Sequence, residues 1–299
     1  MSMRFLQQIR TAISNLSPDQ IRQSVLRPVR VLVQAGSSAS YAAIEDFLAP
    51  AELSTGKRME TTHVLVRAHD AGGEGRYHLV FFERGTPLPE GWELNIDAFH
   101  FDTTRMNRLV DDVLTHKDTY SLALARLFPP FRAAVTKHTI HSISKENALF
   151  SLMTALPNVV PSLGELPWAV GEFASDTAVL TANQIRMAFL LAGASDHEVG
   201  YREQRSEIGS IIAGAWGWRA AARQLTGKIP FGGGLIPKAA IAYAGTFVVG
   251  LSLERIYRIG YALTRDERRD AYEEALARGK DVAAGLLARV RGPGQVSPS

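Results

Sequence analysis

The sequence predicts an α+β protein that is mostly α: a small α/β half is followed by an all-α bundle containing membrane-type helices. Three observations predict it. Strand signals, runs rich in Val, Leu, Phe and Tyr, stop before Ser121. Beyond that point the chain reads as apolar helical pieces broken by prolines. Ala239–Leu253 then runs fifteen residues without a charge and is rich in Ala and Gly. A helix so composed packs very closely on another helix, in a crowded core or in lipid.

The N-terminal region, 1–28, opens MSMRFLQQIRTAISNL. Phe5, Leu6, Ile9, Ile13 and Leu16 recur at helical spacing, with Arg4 and Arg10 as the only charges. A short amphipathic helix is expected there, docked on its own protein in preference to a membrane surface. It has no long apolar run and no small-residue cleavage site, so no secretory signal is expected.

A small α/β domain is expected over 29–120. VRVLV (Val29–Val33) is a strand followed by Gly and Ser, and SYAAIEDFL (Ser40–Leu48) is an apolar-periodic helix. Thr62–His69 and Tyr77–Gly85 read as two strands of a hairpin across DAGGEG. Phe101–Leu114 opens on Asp-Thr-Thr, a cap signal, and continues as a helix. Strand, loop, helix and hairpin is the opening order of a GTPase-like fold. Its chemistry is missing. QAGSSASY (Gln34–Tyr41) stands where phosphate would be held, with one glycine and no lysine. Mg²⁺ would rest on Ser37, Ser38 or Ser40 alone. Glu83 and Gly85 stand where an Asp-x-x-Gly belongs but at the wrong spacing, and no base-reading NKxD follows. A degenerate, non-hydrolysing domain is the expectation.

Residues 121–265 are expected to form the helical domain, and 266–299 a charged helix to about Val290 with a frayed tail. Asn147–Gly164 is uncharged but holds two prolines, and Arg186 is the only charge between Asp176 and Asp196. A bilayer span needs about twenty apolar residues. The best segment, bounded by Lys238 and Glu254, falls short. Peripheral or hairpin insertion is therefore preferred to a full span. Gly209, Ala213, Gly214, Ala244, Gly245 and Gly250 are read as close helix-packing positions, with Gly245 and Gly250 crossing the 209–214 stretch.

Composition narrows the chemistry. Hydrophobic residues at 46% can build full cores, and 299 residues suit two domains. The net charge is +3, with 33 basic residues set among 30 acidic ones, so no polybasic face for nucleic acid is expected. Zero cysteines exclude disulfides, thiol catalysis and thiolate metal sites.

Few constellations remain. Gly227, Lys228, Gly232, Gly233, Gly234 and Lys238 expose backbone N–H groups between two lysines and could cradle a phosphate. A helix precedes them where a P-loop needs a strand, so a tight helix–helix turn is the stronger reading. His138 and His141, three apart, could share a helix face with Glu146 a turn or more onward, but the sequence identifies neither a third zinc ligand nor a supporting second shell, and surface histidines are expected rather than a metal. Asp176, Asn183, Gln184 and Arg186 are polar residues in a very apolar helix, which predicts a buried hydrogen-bond network. No catalytic residue and no cofactor are expected.

ENALFSLMTALPNVVPS, SDTAVLTANQIRM, EIGSIIAGAWGWRAAARQL and GKIPFGGGLIPKAAIAYAGTFVVG together resemble the YcjF-like domain, a bacterial helical family of unknown function. The resemblance covers roughly Asn147–Tyr261. It implies an all-α module linked to the bacterial cytoplasmic membrane and facing the cytoplasm, with membrane lipid or a membrane protein as partner. That family often accompanies a GTPase, so a GTPase partner is also implied. The expectation is a non-catalytic membrane-associated scaffold. The competing one is a soluble nucleotide- or phosphate-binding regulator.

Overall fold

The computed structural model describes residues 16–70, 76–94, 97–155, 176–214 and 235–291. The chain is mostly helical, with one small sheet, and forms two compact units. A sheet unit comprises Asp19–Lys137 and Ala192–Glu198. A helical unit comprises His138–Leu191 and Val199 onward, with Met1–Pro18.

The sheet unit follows α1 (Pro18–Val25) with β1 (Val31–Gln34), α2 (Ser38–Leu48), α3 (Thr55–His63), β2 (Leu65–Arg67), β3 (Leu79–Glu83), β4 (Ala98–Phe101), α4 (Asn107–His116) and α5 (Ser121–Leu127). The four strands are ordered β2-β1-β3-β4 and every pair is parallel. The expected hairpin is therefore absent: β2 and β3 lie on opposite sides of β1. Thr62 and His63 belong to α3, so the first of the two strands is shorter than its apolar run suggested. Alternation explains the layering. Val31, Val33, Leu79, Phe81, Phe99 and Phe101 face a core with Ile44, Leu48, Leu109, Val113 and Phe128. Leu32, Val80, Phe82 and Ala98 turn the other way, against loop residues Tyr77, Leu88 and Trp92. Helices cover one face and loops the other.

Caps set the helix starts. Ser37 Oγ accepts from Ser40 N at α2, and Ser54 Oγ from Lys57 N at α3. The Asp-Thr-Thr signal before α4 does not cap it. Asp102 accepts from Thr104 N and Oγ1 in its own turn, and α4 starts at Asn107. α6 (Pro129–Met153) opens on two prolines, whose missing N–H groups are no loss in a first turn. The unit boundary falls inside it, at Lys137, whereas the sequence suggests a division near Ser121.

A short ion network closes the sheet unit. Lys57 reaches Glu60 and Asp196 at 2.8 Å each, and Arg126 reaches Glu60 at 2.5 Å. Arg132 donates to the Ala125 and Ala194 carbonyls. Asp196 has φ +64°, the conformation that ends a helix, which Asp tolerates better than most residues.

The helical unit holds the rest of α6, α7 (Asp176–Ala194) as far as Leu191, a segment helical over 205–214 (α8), α9 (Leu235–Ile259) and α10 (Arg265–Arg291). α9 is its centre. Ala239 and Tyr243 pack with Ala148 and Leu152 of α6 and with Ala283 and Leu287 of α10. Among the described residues α9 is the one helix long and apolar enough to cross a membrane. Its most apolar window has a mean hydropathy of 1.4 and is 56% buried.

A Thr-x-x-Glu box starts α10. Thr264 N and Oγ1 both donate to Glu267 Oε2, at 2.8 Å each, and Glu267 N donates back to Thr264 Oγ1. Arg255 of α9 donates to the other carboxyl oxygen at 2.5 Å. The Arg255 hydrogen bond, followed by those from Thr264, lowers the Glu267 carboxyl from 4.5 to about 2. A depressed acid stabilises the fold above its unfolded pKa and ceases to as pH falls through its folded one. The melting-temperature gap between wild type and Glu267→Gln is thus expected to be full at pH 6. It should close between pH 4.5 and 2. A gap that persists at pH 2 would show that the carboxylate charge is not its source.

Candidate functional site

In a parallel sheet, ligands bind beyond the strand C-termini where neighbouring connections diverge. Here that point lies between β1 and β3, since β1 leads to β2 and β3 to β4. The loop after β1 delivers Gly36 and the α2 N-terminus to it. The position is filled from within. Glu83, last residue of β3, accepts from Gly36 N at 2.7 Å through Oε2 and from Ser40 Oγ at 2.8 Å through Oε1. Gln34 Nε2 donates to Pro87 O at 2.8 Å and ties the β1 and β3 loops together. The backbone and hydroxyl donors that would meet a phosphate already hold a carboxylate, and the positive end of the α2 dipole is neutralised by it. Ser37 is spent on the α2 cap. Of the residues singled out for Mg²⁺ and for the missing Asp-x-x-Gly, Ser37, Ser40 and Glu83 thus meet at one place, joined to each other.

Glu83→Ala is expected to lower stability by about 1–2 kcal/mol, because Gly36 N and Ser40 Oγ lose a charged acceptor at a half-buried position. Glu83→Gln keeps one acceptor oxygen and should fall between. Urea denaturation of the three proteins checks this, and an unshifted midpoint for Glu83→Ala would contradict the contact.

Next along the same sheet edge, a polar hollow of about 290 Å³ is lined by Arg84, His100, Asp102, Arg108, Asp111 and Asp112. Arg84 Nη2 lies 3.1 Å from His100 Nε2. Thr104 hydrogen bonds hold the Asp102 carboxyl below its ordinary range. Two arginines against three aspartates leave no strong field of either sign.

The helical unit carries the other candidates. Asn183 is fully buried and donates from Nδ2 to Asn147 Oδ1 at 2.7 Å. Asn147 Nδ2 donates to Thr246 Oγ1 at 2.8 Å and to Leu180 O at 3.3 Å, and Gln184 Nε2 donates to Thr246 Oγ1 at 3.3 Å. Arg186 pairs with Glu146. Asn147 of α6 and Thr246 of α9, missed in the sequence, are thus the hub of the polar set. Asp176 begins α7, but its side chain lies outside the described atoms. The knot is amide and hydroxyl, with no nucleophile beside a base. It fixes the register of α6, α7 and α9.

His138 is exposed, while His141 Nδ1 lies 2.9 Å from the Tyr243 hydroxyl and its ring 5.1 Å from that of Phe247. With His138 exposed and Glu146 held by Arg186, the three residues weighed as metal ligands are not brought together. Of the glycine turn, Gly227, Lys228, Gly232, Gly233 and Gly234 lie outside the described residues. Lys238 is in the first turn of α9, with Nζ 3.4 Å from Thr154 Oγ1.

The small residues divide into two groups. Gly250 is at a close crossing: an added Cβ would stand 2.8 Å from two carbons of Ile140 and 3.1 Å from Met187 Sδ. Its partners are α6 and α7, not α8. Gly209, Ala213 and Gly214 are exposed, and a Cβ on either glycine would meet nothing within 4 Å. Gly209 and Gly214 are therefore not at a close crossing, whereas Gly250 is, against α6 and α7. Ala244 and Gly245 are both buried, and Gly245 with the exposed Gly214 lines a cleft. Spacing shows that a helix face is small and cannot show whether anything approaches it.

No protein family, curated protein or solved structure matches the chain.

Proposed function

We propose that the protein is a non-catalytic, membrane-associated helical scaffold or regulatory protein. Its helical half is akin to the YcjF-like family, and its sheet half is a GTPase-like fold without nucleotide machinery. The carrying observation is α9, which is long and apolar enough to cross a membrane, with 56% of its most apolar window buried and the other residues only partly covered. Partly covered apolar helix surface is compatible with lipid or a membrane protein as a neighbour. Glu83 supports the non-catalytic part, since a carboxylate in the phosphate position opposes a nucleotide by charge and by volume. In this reading the chain lies at the bacterial cytoplasmic membrane, peripheral or hairpin-inserted, and a partner GTPase supplies any nucleotide dependence.

Fractionation of bacterial cells producing the full chain tests it. Release by carbonate would indicate peripheral association, and release by detergent alone would indicate insertion. Recovery wholly in the soluble fraction, without either, would overturn the membrane reading. Calorimetric titration with GTP, ATP and inorganic phosphate is expected to give no heat at millimolar ligand. Saturable heat would favour the nucleotide-binding regulator instead.

A further inference from the structure

The helical unit contains a cleft of about 500 Å³ that the packing of α9 leaves open. Small-molecule sites occupy roughly 300–1,000 Å³, with apolar walls and a few converging polar groups. This cleft has that character. Ile211, Val248, Val249 and Leu253 form its walls, and Gly214 and Gly245 keep it wide by lacking side chains. Gln184, Ser210, Ser252 and Tyr272 add neutral polar groups to its lining, and the ionisable ones are of two signs. Arg265, Arg268 and Arg269 stand together on the first turns of α10, at spacings of three and four that place them on one helix face. Arg269 lies 3.4 Å from Asp266 and from Asp270, whereas Arg265 and Arg268 have no ion-pair partner among the described residues. Glu207 of α8 also lines the cleft, and its Oε2 is buried without a hydrogen-bond partner. A buried acceptor with no donor needs one.

We propose that this cleft binds a single-chain amphiphile whose head is anionic and carries a hydroxyl group. The acyl chain lies between Gly245 and Gly214 against the aliphatic walls. The anionic group meets the guanidiniums of Arg265 and Arg268, which are suited to forked contacts with phosphate or carboxylate. The hydroxyl donates to Glu207 Oε2. This goes beyond the membrane reading and does not depend on it: a soluble protein could carry the same site.

The full-length protein, titrated below the critical micelle concentration with lysophosphatidylglycerol, with palmitate and with the neutral monopalmitoylglycerol, tests this. One equivalent of lysophosphatidylglycerol per chain is expected to bind saturably, and palmitate, which is anionic but has no hydroxyl to donate to Glu207, more weakly. Palmitate binding as tightly as lysophosphatidylglycerol would overturn the hydroxyl contact. The double variant Arg265→Glu/Arg268→Glu alters exposed residues and should fold. It is expected to weaken the anionic ligands by about tenfold or more while leaving monopalmitoylglycerol unchanged. Gly245→Leu fills the cleft and should remove binding of all three. Absence of saturable binding by either anionic amphiphile would overturn the proposal, as would affinities that both variants leave unaltered. A fractionation result that sinks membrane association leaves this outcome intact, so the two readings fail separately.

Discussion

Asn147→Leu is expected to lower the stability of the helical unit by about 2–4 kcal/mol, seen as an earlier midpoint in urea denaturation followed by circular dichroism. Leucine is close to isosteric, so no large cavity opens. The loss is polar. Asn147 accepts from Asn183 and donates to Thr246 and to the Leu180 carbonyl, all within a buried neighbourhood. Its removal leaves the Asn183 Nδ2 group without its acceptor and Thr246 without its main donor, and each stranded group costs about 1–3 kcal/mol. Asn183→Leu is the informative contrast. Asn183 makes one of these hydrogen bonds, and its Oδ1 has no partner even in the native packing. Removing it deletes an unsatisfied acceptor along with one bond, and a loss nearer 1 kcal/mol is expected. Equal losses for both variants would mean that Asn147 is not the hub.

The same residues show how much could be read from the chain alone. A polar set inside α7 was legible, because Asn183, Gln184 and Arg186 interrupt a long apolar helix and buried polar groups need partners. The partners themselves were not. Asn147 lies 36 residues before Asn183 and Thr246 lies 62 after Gln184, each in another helix, and no local pattern reports such pairings. At the sheet, the run Val31–Gln34 and the helix after it followed from β-branched content and apolar periodicity. The hairpin misled because DAGGEG has turn composition, yet the residues flanking it cross over β1 to reach its far side. Pairing partner is a tertiary choice, decided here by burying Phe81 and Val33 on one face. In the sequence Glu83 stands only as a misplaced motif residue. Its contact with Gly36 depends on β3 lying beside β1, a tertiary pairing that no local pattern reports. The α10 cap was missed although Thr264-x-x-Glu267 is a local signature that sequence displays directly.

Gly279→Ala and Gly285→Ala are expected to shift stability in opposite directions, although they make the same change in the same helix. Both gain helix propensity, about 1 kcal/mol for glycine to alanine. At Gly285 a Cβ meets nothing within 4 Å, so the gain stands and the melting temperature should rise. At Gly279 the new carbon would lie 2.9 Å from the Ala240 carbonyl oxygen, 3.2 Å from its Cα and 3.2 Å from Tyr243 Cδ1. The first two are backbone atoms of α9, which cannot rotate aside. Only movement of α10 away from α9 relieves the overlap, and Ala283 and Leu287 would lose contact with Ala239 and Tyr243 as it moved. Overpacking against backbone that cannot yield sits at the upper end of about 1–3 kcal/mol, so after the propensity gain Gly279→Ala should be net destabilising by up to about 2 kcal/mol, and Gly279→Leu by more. Gly250→Ala belongs between the two. Its closest neighbours are side-chain atoms of Ile140 and Met187, and these can change rotamer where a backbone carbonyl cannot. Thermal melts of the four variants rank them directly. If Gly279→Ala melts at or above wild type, α9 and α10 do not approach at Ala240, and the central packing of the helical unit would have to be redrawn.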